Sequence, residues 1–480
     1  MALPAVPQTA PASRTSSASQ QSFHPELSNG RRWAILVCFV LAASIAIMSQ
    51  LTMTTCLPSI TAEFGIDTAQ GQWLTTSYML TMGIMIPCTG YLMTRFQSRY
   101  LFLAANGVFL VGLLGMFATN YGMLIAVRCV QGLAGGLFIP LMQVIAFRLF
   151  PPHQRGFAMG VAAVALAAGP VLGPIVAGVC TDLWGWRSVF TVVGVFTALS
   201  LASFPVVNGL VEKGGEASFD ILSLLLIAVA FSGIIIGTGN LDSSLALAVA
   251  CLLVGIAALA LFGWRQTKLA SPLLSPVPMR NGAFVLGVIA VTVVFGVLIN
   301  VETFMSIYIQ NDQGFSPTMA ALCLVPGALL SAILAPFTGR ILDRRGPLGL
   351  AIGGFTCLVV SGVFASLVQA TSPLWYSIVV FGIRAVGNAC VLQNLQTWAV
   401  NRLEPRYITH GTSIATTARQ VGGAFINTLL FSLMGGLVAA GMTELDGIRI
   451  ALSVSTALVA VLGVVVVCRL ARRARAGVQS

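Results

Sequence analysis

Charge is what this chain has least of. Its 480 residues include 25 Lys/Arg and 14 Asp/Glu, making charged residues 8% of the total against 57% hydrophobic. An ordinary soluble domain carries roughly a quarter charged residues, and so few cannot clothe a water-soluble body of this length. Histidine is scarcer still, with only His24, His153 and His410. The ten cysteines include no CxxC or other close pair. These shortages argue against a zinc or iron centre and against a disulfide framework; no metal and no other cofactor is expected. What the chain has instead is apolar length, with a mean hydropathy of +0.92. The expected fold is an all-α integral membrane protein.

A helix needs about 20 apolar residues to cross the hydrocarbon. Reading between charges gives fourteen spans: 34–55, 73–94, 100–119, 121–147, 157–179, 188–208, 220–239, 244–264, 283–309, 318–340, 346–368, 372–398, 410–436 and 447–469. An even number puts both termini on one side. Loops on that side hold twenty Lys/Arg, whereas the opposite loops hold two, Arg187 and Arg449. By the positive-inside rule both termini are cytoplasmic, which fits a multi-pass protein of the inner, cytoplasmic membrane. The net charge of +11 is then topology and contact with anionic lipid, not a nucleic-acid surface. Residues 1–30, rich in Ala, Pro, Ser and Gln, read as a disordered cytoplasmic tail rather than a signal peptide. A second cytoplasmic tail is expected over 471–480. All three histidines fall on the cytoplasmic side, and no acid pair, Cys–His or Ser–His constellation is available at membrane depth, so an enzyme is not expected.

The halves of the chain show a faint repeat. Gly90-Tyr91-Leu92-Met93-Thr94-Arg95 resembles Gly339-Arg340-Ile341-Leu342-Asp343-Arg344, Arg128-x-x-Gln131-Gly132 resembles Arg384-x-x-Gly387, and Gly169-Pro170 falls opposite Gly422-Gly423. The similar offsets divide the chain into six-helix bundles over 31–208 and 283–470, with two inserted helices and linkers at 209–282. Such parallel duplication is a transporter architecture, with the substrate between the bundles near the midplane.

These motifs carry a specific resemblance. Gly90-x-Leu92-x-x-Arg95, Arg128-x-x-Gln131-Gly132-x-x-Gly135-Gly136 and Gly169-Pro170-x-x-Gly173-Pro174 resemble the signature loop and antiporter helix of the major facilitator superfamily. The fourteen spans, Trp186-Arg187-x-x-Phe190, Gln310-x-x-x-Gly314-Phe315-Ser316-Pro317 and Arg419-Gln420-Val421-Gly422-Gly423 are similar to its fourteen-helix drug:proton antiporter branch. The resemblance implies a conformational latch at Gly90, Arg95, Gly339, Asp343 and Arg344. Its acid would sit at the amino end of a partner helix, where the dipole favours negative charge. The plainer reading of Asp343 is a solvated loop charge. In the first half Thr94 stands where the family has its acid, so that latch is expected to be weaker.

Ionisable residues at membrane depth are functional candidates because burying one costs several kcal/mol. Four fall well inside the spans, away from their ends: Arg128, Glu302, Arg384 and Arg419. Drug-exporting relatives typically carry an acid in the first span, and aligning on Leu57-Pro58 puts Ser49 at its place. Ser49 and Glu302 differ by the repeat offset, so the acid missing from the first bundle reappears in the second. Glu302, with Arg128 and Arg384, is therefore read as the proton-coupling group. The blander readings are a solvated interfacial acid and two arginines that brace helices through backbone carbonyls. Candidate cleft residues are Ser49, Gln50, Thr54, Tyr78 and Gln131 in the first bundle, and Asn300, Tyr308, Asn388, Gln393 and Asn394 in the second. Amides and hydroxyls at this depth also serve simply to bridge helices.

The expected function is secondary active transport: proton-coupled, multidrug-type efflux of amphipathic small molecules by alternating access. The alternatives are an uncoupled or endogenous-metabolite exporter and a non-transporting membrane receptor or scaffold. Expected partners are the lipid bilayer, protons and a small molecule. Three intramembrane arginines against one glutamate favour a neutral or anionic amphiphile over a permanent cation. A periplasmic adaptor is not expected, because the loop between the last two spans is only 437–446.

Overall fold

The computed structural model describes residues 27–66, 68–207, 220–239, 244–269, 272–315, 317–369 and 371–478. Most of the segment read as an N-terminal tail and the whole of the 209–219 linker lie outside the described residues. Among those described, the regular structure is helical throughout. The first bundle comprises α1 (Asn29–Phe64), α2 (Thr68–Arg95), α3 (Ser98–Val111), α4 (Tyr121–Leu149), α5 (Arg155–Trp184), α6 (Ser188–Ala202) and the single turn α7 (Phe204–Val207). Two helices follow, α8 (Ile221–Gly239) and α9 (Leu245–Gln266). The second bundle is α10 (Gly282–Ile307), α11 (Pro317–Arg345), α12 (Pro347–Ser366), α13 (Leu374–Val400), α14 (Ile408–Ala439) and α15 (Glu444–Val478). Helix α15 thus continues through most of the segment read as a C-terminal tail. Eleven helical stretches are long and apolar enough to cross a membrane, among the described residues.

The helix boundaries follow local chemistry. Ser28, Asn120 and Asn281 cap α1, α4 and α10, each side chain accepting a backbone N–H of the first turn and so satisfying a donor that has no partner within the helix. Gly65 ends α1 in the left-handed region at φ 63°, which costs glycine no Cβ clash. Outward faces stay apolar: Leu172, Ile175, Val179 and Leu183 of α5 and Val461, Val464 and Val465 of α15 are exposed. Large exposed aliphatic faces suit a hydrocarbon solvent.

The packing repeats between halves. Helix α1 packs on α5 as α10 packs on α14; α2 on α4 as α11 on α13; α3 on α6 as α12 on α15. The bundles meet through α5 with α11 and α13, and through α14 with α2 and α4. The inserted helices pack on each other, with Gly233 and Gly255 at the crossing. Asp220, just before α8, accepts from Arg265 of α9 at 2.9 and 3.0 Å, and this pairing holds the carboxyl well below the usual carboxylate range, at about 2. Phe231 of α8 sits against Gly83 of α2. Cys88 and Tyr91 of α2 form a small apolar cluster with Ile227, Phe231, Phe262, Leu273 and Leu274.

Candidate coupling site and bundle interface

The first bundle centres on Arg128 of α4, whose guanidinium is wholly buried. Nε donates to the Leu74 carbonyl of α2 at 3.2 Å. Nη1 donates to Ser49 Oγ at 3.2 Å and Gln131 Oε1 at 2.9 Å, and Nη2 to the Ser49 carbonyl at 3.2 Å. The charge lies over the Tyr78 ring, 4.4 Å from its centroid, and Tyr78 in turn donates to the Ala46 carbonyl at 2.8 Å. Ser49, Tyr78 and Gln131 are therefore engaged by one arginine that ties α1, α2 and α4 together. Tyr78, fully buried, does not face the cleft as read from the sequence. Its hydroxyl is drawn to a backbone carbonyl, because a buried donor needs a partner.

The second bundle places different chemistry at the matching positions. Arg384 of α13 donates from Nη2 to the Val297 carbonyl of α10 at 2.8 Å, while its Nε has no hydrogen-bond partner. Glu302, one helical stretch further along α10, is partly buried and within electrostatic reach of Arg384. Among the described residues, no hydrogen bond or ion pair occupies its carboxylate. Asn300 is buried, makes one 3.5 Å bond to Asn427 and leaves its Oδ1 unpartnered. Asn388 Oδ1 and Gln393 Nε2 are likewise buried without partners. Gln50 is partly exposed, and the side chain of Thr54 lies outside the described residues.

Two expected cleft residues are placed elsewhere. Tyr308 stands at the end of α10, where a π turn (Tyr308–Asp312) begins; its hydroxyl donates to the Gln369 carbonyl at 2.6 Å and accepts from Gln313 at 2.6 Å. It clasps α10 to the turn after α12. Asn394 donates to the Ala389 and Cys390 carbonyls of its own helix at 2.9 and 3.2 Å. Both side chains are satisfied locally.

The bundles close on each other at the arginine-rich end. Asp343, at the end of α11, accepts from the Gly156 and Phe157 N–H groups of α5 at 2.8 Å each. Gln154 precedes α5 without a side-chain cap of its own, so α5 takes its cap from the other bundle. A carboxylate there meets both unpaired N–H groups and the positive end of the dipole. Neither oxygen is spent on Arg344, which is exposed, and Arg340 instead lies over the Phe157 ring at 4.1 Å. Gly339 allows this approach, since a Cβ would collide with the Gly156 carbonyl. The first-half counterpart is looser: a Cβ at Gly90 would meet Ser413 Oγ at 3.2 Å, Thr94 bonds back to the Tyr91 carbonyl at 2.7 Å, and Arg95 is exposed.

The antiporter-helix glycines do not all face the other bundle. Gly169 packs against Ile47 of α1, and Gly173 is buried; contact with the other bundle is made by Gly156 and by Gly160, which meets the Ala335 carbonyl. Helix α5 lies between α1 and α11, so its glycines divide between two neighbours. The side chains of Pro170 and Pro174 lie outside the described residues.

Sequence reasoning missed a buried side-chain contact between the bundles. Gln396 Nε2 of α13 donates to Gln143 Oε1 of α4 at 3.1 Å, and Thr416 of α14 donates to the same oxygen at 2.9 Å. Arg419 Nη1 donates to Gln396 Oε1 at 3.3 Å. Arg148 to Thr409 at 3.1 Å and Arg155 to Asn401 at 3.0 Å complete the seal. The available signal was arithmetic: Gln143 and Gln396 differ by the same offset as Ser49 and Glu302.

Two bundles of repeated packing, joined at one end through glycine crossings and a borrowed helix cap, are the architecture of a solute carrier. The chain belongs to the Major Facilitator Superfamily, whose family model matches residues 38–427. It is a multi-pass membrane transporter, and as a carrier it moves solutes rather than catalysing a chemical reaction. It is 36% identical to the uncharacterized MFS-type transporter YcnB of Bacillus subtilis, over 86% of this chain and 88% of that protein. It is 29% identical to the lincomycin resistance protein LmrB of Listeria monocytogenes (86% and 89%). With the multidrug resistance protein B homolog of Mycobacterium tuberculosis it shares 30% identity (88% and 79%). These relatives carry the resemblance to the drug:proton antiporter branch. In fold it is similar to the proton:xylose symporter XylE, with a TM-score of 0.65 at 15% identity over 92% and 97% of the two chains. It also resembles the human organic anion transporter MFSD10, at 0.66 and 13% over 92% and 100%.

Proposed function

We propose that this protein exports amphipathic small molecules across the cytoplasmic membrane in exchange for protons. Fourteen helices cross the bilayer, with both termini and the arginine-rich end on the cytoplasmic side. The observation that carries the coupling is Glu302. It is the one acid away from the ends of the spans, stands at the repeat position of Ser49, and keeps its carboxylate free of described partners beside Arg384. A carboxylate so placed binds and releases a proton as the cleft changes sides, and each protonation changes the charge that opposes one rocking step. Names of relatives that refer to drug resistance support export as the direction. In this reading the arrangement described is closed to the cytoplasm, held by Asp343, Gly339 and the seal around Gln143.

Substrate preference follows from charge. Glu302 is the only anion set against Arg128, Arg384 and Arg419, so a permanent cation must compete with the proton for one carboxylate. Neutral or anionic amphiphiles are favoured over quaternary ammonium compounds. The test is transport by Glu302→Gln protein in proteoliposomes: loss of pH-gradient-driven transport, with counterflow exchange retained, is the expected result. Full gradient-driven transport by the variant would remove Glu302 as proton carrier. A second reading, an uncoupled exporter, is favoured by Ser49, which stands where drug-exporting relatives carry an acid and leaves the first bundle no acid at membrane depth. Gradient-independent export by the unaltered protein would decide for it.

A further inference from the structure

Gln143 and Gln396 occupy equivalent places in the two repeats, and their side chains meet where α4 and α13 face each other. Both are about 99% buried. The amides are not free to choose their orientation. A guanidinium can only donate, so Arg419 requires the Gln396 oxygen, which leaves the Gln396 nitrogen to donate to Gln143 Oε1. The Thr416 hydroxyl lies 2.9 Å from the same Gln143 oxygen and shares its one proton between that oxygen and the Thr412 carbonyl, also at 2.9 Å. The contact between bundles thus sets which end of the Gln396 amide is turned toward Arg419.

Arg419 is the least satisfied of the membrane-depth arginines. Arg128 spends its donors on four acceptors, and Arg384 has a 2.8 Å carbonyl and the nearby charge of Glu302. Arg419 has one 3.3 Å bond to a neutral amide and the face of Phe295 at 5.4 Å. Its Nε is buried without a partner, as is Thr292 Oγ1 on the helix that carries Phe295. Among the described residues no carboxylate lies within ion-pairing distance of Arg419. Arg419 is half-buried, and a cation held at membrane depth with neutral compensation alone is costly; an anionic ligand group relieves that cost through charge-assisted hydrogen bonds.

We propose that Arg419 reads an anionic group on the transported molecule, and that Gln396 displaces this group when the bundles close at the arginine-rich end. With the bundles apart at that end, Gln396 has lost Gln143 and its amide turns freely; Arg419 then pairs with a carboxylate entering from that side. Closure restores the Gln143 contact, presents the Gln396 oxygen to Arg419 and expels the carboxylate toward the other side. Gln396 is a positioning residue in this scheme, acting through Arg419. The inference rests on the alternating-access transport reading and adds to it the chemical class of the ligand and a release step.

The probes are a fluorescent aryl carboxylate and its neutral methyl ester, transported by the full-length protein in proteoliposomes. Arg419→Gln should slow carboxylate transport about tenfold or more, the scale of one charge-assisted hydrogen bond, and leave the ester unchanged. Arg419→Lys should recover part of the carboxylate transport. Gln396→Leu should lower KM and kcat together for the carboxylate alone, because binding persists while displacement is lost. The ester serves as an internal control for folding. Equal loss of both probes in Arg419→Gln, or an unaltered KM in Gln396→Leu, overturns the assignment. Transport of neither probe by the unaltered protein would count against the proposed function itself. Ester transport without an Arg419 effect on the carboxylate defeats only this inference.

Discussion

Arg128, Arg384 and Arg419 show that three identical side chains within the membrane hold three different positions. Arg128 is a structural junction: two carbonyls, a hydroxyl and an amide surround it, and an aromatic face covers it. Arg128→Lys keeps the charge but loses the planar fork that reaches four acceptors. Hydrogen bonds to charged groups contribute about 1.5–3 kcal/mol each, so the variant should melt well below the unaltered protein in detergent, even with ligand absent. A melting temperature within a degree or so would contradict that placement. At this scale the sequence located the four charged residues at lipid depth, because such a residue stands out against an 8% charged background; it did not single out Arg148 and Arg155 of the seal. It did not separate Tyr78 and Tyr308, which are satisfied by carbonyls, from Asn388 and Gln393, which leave buried atoms unpartnered. Partner identity depends on which helices become neighbours. A single span does not encode that.

At the scale of helices, α5 and α11 illustrate how bulk is excluded from a crossing. Gly339→Val places a branched side chain against the Gly156 carbonyl, and a backbone neighbour cannot yield as a flexible side chain can. The arginine-rich end should then fail to close. Spin labels on α4 and α13 should report a longer and broader distance than in the unaltered protein, and Gly90→Val, with a serine side chain as neighbour, should have the smaller effect. The repeat motifs made both glycines legible. Which of the two crossings is tighter came only from the packed helices. The α8–α9 pair offers a pH test. Asp220 is held at about 2, mainly by the Arg265 hydrogen bonds, below its unfolded value. Its contribution is therefore complete above the ordinary carboxylate range and is lost as pH falls from there through about 2. The unaltered protein should lose an acid-dependent part of its thermal stability in that window, and Asp220→Asn should lack this part and start less stable at neutral pH. Identical acid profiles for the two proteins would remove the pair from any stabilising role.

At the scale of the molecule, the two halves share packing but not chemistry. Ser49 and Glu302 are equivalent by repeat, yet one is tied to an arginine and the other keeps a free carboxylate. The first half likewise has Thr94 where the second has Asp343. Duplication supplied two copies of each device, and in each case the acid stands in the second half alone. Asp343→Asn should therefore shift the conformational balance away from closure at the arginine-rich end without changing the fold. One acceptor oxygen remains, while the new amide nitrogen faces an N–H donor, at a cost of about 1–3 kcal/mol for a donor left unmet. Arg95→Ala, in the half without the acid, should have little effect on the same spin-label distances. A larger shift from Arg95→Ala than from Asp343→Asn would reverse the asymmetry.

Helix α5 also carries its own clock. The Gly156 and Phe157 amides are shielded from solvent by a side chain of the opposite bundle, and nothing in α5 itself replaces that shield. Each separation of the bundles exposes these two hydrogens to exchange with deuterated water, whereas amides one turn later keep their bonds within the helix. Deuterium uptake over residues 155–157, set against uptake over 159–162, therefore reports how far the bundles part at that end, without any label, substrate or engineered cysteine.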